Sequence, residues 1–136
     1  MKTAKLMMWA LVTALLFSCR YGVSVESFPP ARTATGVASD IMTDRGRLTG
    51  ELIEVRDSGI VILAERVLRL LPYSEIVSSR FEGLNRGVTL GNRRPPTAES
   101  REQLRMASRF PPGLSPEMLE KLLQAHGQTS LAGSNP

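Results

Sequence analysis

Residues 47–81, RLTGELIEVRDSGIVILAERVLRLLPYSEIVSSRF, decide the fold of this chain. Apolar side chains alternate with polar ones along short segments, a spacing that is typical of half-buried β-strands. The segments are separated by residues 57–59 (DSG), 65–66 (ER) and 72–75 (PYSE), which include residue types that turns favour. The stretch therefore predicts a small, strongly bent antiparallel sheet.

Strands are predicted at residues 47–56, 60–63, 67–71 and 76–81, and a preceding strand is predicted to begin near residues 37–42. Gly50 lies in mid-strand, which predicts a bend or a bulge. Arg69 is expected to face outward. Pro72 is expected to end its strand because it has no N–H to donate to a ladder, and a tight turn or one turn of 3₁₀ helix should follow.

This order of strands and turns resembles that of the SH3-like and Sm-like small barrels over roughly residues 36–83. The resemblance implies a small barrel of antiparallel strands. The Asn-centred loop that RNA-reading Sm proteins present between strands is not found here. An open meander covered by the C-terminal helices is the alternative, and either arrangement makes the chain mainly β with C-terminal helices, an α+β fold.

The N-terminus has the pattern of a signal peptide. Lys2 and Lys5 precede an uncharged, almost wholly apolar run from Leu6 to Phe17, which is shorter than the roughly 20 apolar residues that span a bilayer. The run ends in residues 16–19, LFSC, which resemble the lipobox of bacterial lipoproteins. The resemblance implies removal of residues 1–18 and attachment of lipid to Cys19.

A membrane-anchored location in the cell envelope is expected from this resemblance. Arg20 follows the cysteine, whereas Asp at that place retains the enterobacterial lipoproteins in the inner membrane. The periplasmic face of the outer membrane is therefore the favoured location. Cleavage by the ordinary signal peptidase, near residues 22–24, and a retained anchor or a false signal are the alternatives.

The remaining organisation is predicted as a tether at residues 19–36, a β-barrel-like domain with a basic loop at 37–96, a helical hairpin at 97–127 and a disordered tail at 128–136. Thr97 and Ser115 have the character of helix caps, and Gly127 that of a helix end. The second helix has an apolar stripe at Met118, Leu119, Leu122 and Leu123. That stripe is expected either to cover the sheet or to meet a partner.

The densest positive region comprises Arg80, Arg86, Arg93 and Arg94. These arginines are candidate contacts to an anionic partner, through charge-assisted hydrogen bonds; a solvated loop is the alternative. The formal net charge is +4, from 17 basic and 13 acidic residues. Without Lys2 and Lys5 it is 15 against 13, or +2, too mild to indicate nucleic acid.

No catalytic or metal-binding pattern is found in the sequence. Cys19 is the single cysteine and His126 the single histidine, so neither a nucleophile with its base nor a set of metal ligands is indicated. No cofactor is expected. Tyr73 and Phe81 could stack on bases, but Phe81 is expected in the core and Tyr73 at the barrel end with its hydroxyl in water.

The sequence thus predicts a non-enzymatic envelope lipoprotein, an accessory or protein-interaction module tethered at a membrane surface. Its partners would be the membrane, through the lipid anchor, and an unidentified envelope protein. One alternative is an Sm-like nucleic-acid-binding module. Another is a module that binds anionic lipid or glycan through Arg93 and Arg94.

Overall fold

A computed structural model of the protein describes residues 35–84 and 88–133. Its strands are β1 Ala38–Thr43, β2 Gly46–Val55, β3 Gly59–Ala64, β4 Val67–Pro72 and β5 Ile76–Phe81. Its helices are α1 Ala98–Ala107 and α2 Pro116–Ala125, and a 3₁₀ turn, Tyr73–Glu75, joins β4 to β5. The prediction of a mainly β fold with C-terminal helices is confirmed.

The five strands form one antiparallel sheet in the order β4-β3-β2-β1-β5. Successive strands pair as hairpins from β1 to β4, and the 3₁₀ turn returns the chain so that β5 pairs with β1, with Ser39 opposite Phe81. The sheet is open, with β4 and β5 as its edge strands.

Strand alternation divides the apolar side chains between two faces of the sheet. The first cluster includes Ile41, Leu52, Ile60, Ile62, Leu71, Ile76 and Phe81. The second includes Ile53, Val61 and Leu68, with Leu63 and Leu70 partly buried against them. Because burial of apolar area is the main favourable term in folding, each face needs its own cover.

A register shift lies in β2 between Leu52 and Glu54, where these two residues oppose Ile62 and Val61. The additional residue, Ile53, turns Glu54 toward the second face, the face that Glu51 also occupies. In an uninterrupted strand, Glu51 and Glu54 would lie on opposite faces, so the register shift is what brings the two carboxylates to the same face.

The two helices cover opposite faces of the sheet. Leu104 of α1 is fully buried in the first cluster, whereas Leu119, Leu122 and Leu123 of α2 pack in the second. The predicted helices are therefore present, but the sheet separates their apolar stripes, so they do not form one docked hairpin. The stripe of α2 covers the sheet, although Met118 remains 43% exposed.

The connection between the helices crosses β2 at the point where β1 no longer pairs with it. Arg109 N and Phe110 N donate to the carbonyls of Leu52 and Ile53, each at 3.0 Å. Glu54, buried in β2, accepts a hydrogen bond from Leu114 N at 2.9 Å. These bonds hold the connection against β2 where it passes from the face that α1 covers to the face that α2 covers.

The prediction of a disordered tail is wrong for residues 128–133. Leu131 is only 8% exposed and packs in the second cluster, while Ala132 forms a parallel bridge with Arg69 of β4. Leu70 N donates to Ala132 O at 2.9 Å, and Ala132 N donates to Leu68 O at 3.0 Å. A single buried apolar side chain and a few backbone bonds are too weak a pattern to identify from sequence.

Several predictions lie outside the described residues: the signal peptide at 1–18, Cys19, the tether up to residue 34, Arg86, and residues 134–136 of the tail. The last two tether residues, Thr35 and Gly36, are described, and Gly36 N donates to Glu51 Oε1 at 2.6 Å. Within residues 35–84 and 88–133, no helix has the length and apolar character that crossing a membrane requires.

Candidate functional site

The predicted basic cluster is divided between the two ends of β5. Arg80 lies near the end of β5, where it is exposed opposite Asp40 of β1. Arg93 lies beside the first residue of β5, because its N–H donates to Ile76 O at 2.9 Å. Arg80 is the fourth residue after Ile76 along the strand, a distance of about 13 Å. The structure therefore places Arg93 and Arg94 together, and Arg80 apart from them.

Ion pairs neutralise part of this positive surface. Arg93 pairs with Asp44 of the β1–β2 turn, and this carboxylate holds the pKa of Arg93 above its ordinary value. Arg80 and Arg94, in contrast, form no side-chain hydrogen bond or ion pair with any other residue in the described part of the chain. These two arginines carry the charge available to a partner.

A second ion pair lies between β1 and β2. Arg47 Nε donates to Asp40 Oδ1 at 2.7 Å, and a second guanidinium nitrogen bonds the other carboxylate oxygen. The pKa of Asp40 is lowered chiefly by this hydrogen bond and further by attraction to Arg47 and Arg80, although burial acts in the opposite direction. Arg80 thus acts on Asp40 through space without forming a hydrogen bond to it.

Beside Arg80, one surface of the sheet is left uncovered by the helices. We call it the open sheet face, and it comprises Asp40, Met42, Arg47, Thr49, Val77, Ser78 and Arg80. Met42 is 42% exposed and Val77 is 38% exposed, and Val77 is the additional residue at the register shift opposite Met42. The sequence analysis missed this surface; the alternation of Met42 with buried Ile41 is the signal that could have indicated it.

Both edges of the sheet are covered by other segments of the chain. Along β5, Ser79 Oγ donates to Leu90 O at 2.8 Å and accepts from Leu90 N at 2.7 Å, and Asn92 N donates to Val77 O at 3.0 Å. Residues 128–133 cover β4, as described above. Strand addition at an edge would have to displace these segments, so the open sheet face is the more accessible surface.

A cleft of about 600 Å³ lies between the end of β2, α1 and residues 111–114. Its charged residues are paired as Glu54–Arg56, Asp57–Arg101 and Glu102–Arg105. Each carboxylate that lines it is thus in contact with an arginine. The hydrogen bond from Arg105 lowers the pKa of Glu102.

The two aromatic residues of the sheet are buried. Phe81 is 4% exposed in the first cluster. Tyr73 is 3% exposed, and its hydroxyl donates to Arg56 O at 2.7 Å, so the expectation of a hydroxyl in water is wrong. Burial raises the pKa of Tyr73, while the charge of Arg101 acts to lower it and that of Asp57 to raise it.

His126 follows the last turn of α2, and its N–H donates to Leu123 O at 3.0 Å. No group of three or more His, Cys, Asp or Glu side chains that could hold a metal ion is found among residues 35–84 and 88–133. Comparison of the chain with protein-family models, with curated proteins and with solved structures gives no match.

Proposed function

We propose that this protein is a non-enzymatic envelope lipoprotein that acts as an accessory or protein-interaction module, held at a membrane surface by lipid on Cys19. The anchor is supported by the basic start, the apolar run and the lipobox-like residues 16–19. Two or three acyl chains would make the attachment stable, since one chain alone binds only marginally.

The observation that carries the interaction role is the open sheet face. Met42 and Val77 expose apolar surface there, and Arg80 stands beside them without an ion pair among the described residues. An apolar contact bordered by an arginine is typical of protein-binding surfaces. The partner expected is an envelope protein that presents an apolar side chain next to a carboxylate.

The strand order and the 3₁₀ turn between β4 and β5 support the finer proposal of an SH3-like small barrel. The residue after Cys19 supports the outer membrane, at its periplasmic face, over the inner membrane. Membrane fractionation of the native host tests the anchor: we expect the protein in the membrane fraction, and a Cys19→Ser variant in the soluble fraction or unprocessed.

Site-specific photo-crosslinking in the native host tests the interaction role. A photoreactive residue at position 42 should give a discrete crosslinked species, which Arg80→Glu reduces because the partner's carboxylate is then repelled. The matched positional control is Met106, which is 64% exposed on α1, away from this face, and Arg66→Glu is the charge control. Equal crosslinking at positions 42 and 106, or a species unaffected by Arg80→Glu, would contradict the proposal.

Arg94 favours a second candidate, a module that binds anionic lipid or glycan, because it lies in an exposed turn without a charged partner among the described residues. Replacing both Arg93 and Arg94 by Ala should then weaken binding to vesicles of envelope lipid, and unchanged binding would remove this candidate. An Sm-like nucleic-acid module has less support, since Tyr73 and Phe81 are buried away from any base they could stack on.

A further inference from the structure

Arg69 lies on a face of the sheet where an arginine is unexpected. It pairs across the ladder with Ile62, and it shares the face of Leu71 and the first apolar cluster. The sequence-based expectation that it faces outward from that cluster is therefore wrong, since Val67, Arg69 and Leu71 alternate onto the same side.

The guanidinium of Arg69 has no protein partner in the described part of the chain. Its Nε is buried and lacks a hydrogen-bond acceptor, and no carboxylate forms an ion pair with it. A buried donor without an acceptor destabilises the folded state, so natural structures generally pair such groups. The missing acceptor is the first observation that points to a ligand.

The second observation is a cavity of about 230 Å³ that Arg69 lines. The β1–β2 turn, including Arg45, forms another part of its wall, and Gly133 of the C-terminal segment also borders it. Leu48 and Leu71 add apolar surface. A water occupies about 30 Å³, so the volume would admit a small organic molecule.

The charges around this cavity select the ligand. Arg47 forms an ion pair with Asp40, and Arg45 Nη2 lies 3.9 Å from Glu75 Oε1. Three arginines, Arg45, Arg47 and Arg69, line the cavity with Glu75, which gives a formal charge of +2. Asp40, which pairs with Arg47 from outside the lining, reduces the net charge around the cavity to +1. A singly charged anion balances it, whereas a doubly charged phosphate would leave a negative charge near Glu75. Arginine also binds carboxylates through two parallel N–H···O bonds.

We propose that the cavity is a binding site for a small monocarboxylate, whose carboxylate is held by Arg69 and whose short apolar part contacts Leu48 and Leu71. The cavity adjoins the open sheet face at Arg47, which belongs to both, but Arg69 faces the first cluster on the other side of the sheet. The proposal does not depend on the lipid anchor or on the protein partner.

Two-dimensional NMR of the full chain in non-ionic detergent micelles tests the site with sodium butyrate as the probe and sodium chloride at equal ionic strength as the reference. The backbone amides of Gly46 and Leu71, on two parts of the wall, should shift in a saturable way with butyrate only. Arg69→Gln should weaken binding at least about tenfold, as loss of a charge-assisted pair does, whereas Arg66→Gln, in the exposed turn before β4, should leave it unchanged.

Shifts that do not saturate, shifts equal to those in chloride, or unchanged binding by Arg69→Gln would overturn the proposal. So would tighter binding of inorganic phosphate at the same amides, because it would contradict the charge argument. If Arg69→Gln does not fold, Arg45→Gln replaces it, since that side chain is 80% exposed. We expect binding about threefold weaker, as is typical of an exposed charge, and an unchanged affinity would overturn the proposal.

Discussion

The side chain of Gln128 bonds both backbone groups of Leu68. Its Oε1 accepts from Leu68 N at 2.7 Å and its Nε2 donates to Leu68 O at 3.1 Å, so one side-chain amide reproduces the bonding of a neighbouring strand. Leu68 O also accepts from Ala132 N. The end of helix α2 is thereby fixed to the outer edge of β4, which explains why the following segment lies along that edge.

Gln128→Ala removes both hydrogen bonds to Leu68 and a longer one, of 3.3 Å, to Ser130 O, and it leaves the N–H of Leu68 without its acceptor. We expect a loss of about 1–3 kcal/mol in the free energy of unfolding, measured by urea denaturation. Gln124→Ala is the control, because the side chain of Gln124 is exposed and, in the part of the chain that the structure describes, bonds only Glu120 of the same helix. Equal effects of the two substitutions would show that the bond to Leu68 contributes nothing particular.

Gly50→Ala should destabilise the sheet, because a Cβ at this position would lie 2.3 Å from the carbonyl oxygen of Leu63. The obstacle is backbone of the neighbouring strand β3, so β2 and β3 must separate to admit a methyl group. We expect a loss of about 1–3 kcal/mol, the range for overpacked sites, from the same urea measurement. Thr49→Ala, at an exposed position of the same strand, should change stability far less.

The ion pair of Asp40 with Arg47 should make stability sensitive to acid. The pKa of Asp40 is held below its ordinary value of 3.8, first by the hydrogen bond from Arg47. The folded state therefore keeps this carboxylate charged where the unfolded chain takes up a proton. The stabilisation that this charged carboxylate provides is complete above the pKa that Asp40 has in the unfolded chain. It is lost as the pH falls through the lower pKa that Asp40 has in the folded protein.

Asp40→Asn should accordingly give a shallower decline of melting temperature between about pH 4 and pH 2 than the unchanged protein shows. The difference should be small, because the pair is exposed, and it should shrink in concentrated salt. Two parallel melting curves across this range would contradict the assignment of Asp40 as an acid-sensitive group.

Tyr73 should ionise later than an ordinary tyrosine. Burial raises its pKa above the usual 10.0, so the folded state retains the neutral hydroxyl that donates to Arg56 O. The stability from this group is complete below the unfolded pKa and is lost as the pH rises through the folded pKa. The chain has two tyrosines, so an alkaline titration followed by tyrosinate absorbance should show an earlier and a later phase. The later phase belongs to Tyr73 and should be absent from the titration of Tyr73→Phe. An unchanged titration would contradict the prediction.

The strands could be predicted because their patterns are local. The positions of strands β2 to β5 follow from alternating apolar segments and from the turn residues between them. The bulge at Ile53 could not be predicted, because only the pairing of β2 with β3 shows that β2 has one additional residue there. The same shift explains why Glu54 becomes a buried acceptor for the connection between the helices.

The contacts between segments that are distant along the chain could not be predicted from the sequence. The composition of α2 indicates an apolar stripe, and Leu123 is indeed buried, but nothing in it indicates which face of the sheet it covers. Similarly, charge density groups Arg80 with Arg93, whereas the register of β5 separates them. Arg69 shows a third limit of prediction from sequence. A charged residue between apolar ones is expected to face solvent, but strand alternation places Arg69 on the same face as Leu71.

The most direct test of the proposed lipoprotein is the intact mass of the protein extracted from membranes of its native host, beside a Cys19→Ala variant. We expect a chain that begins at Cys19, with the added mass of a diacylglyceryl group and an amide-linked acyl chain, and loss of both modifications in the variant. A full-length, unmodified chain in the soluble fraction would contradict the lipoprotein proposal and would move the Sm-like alternative to the front.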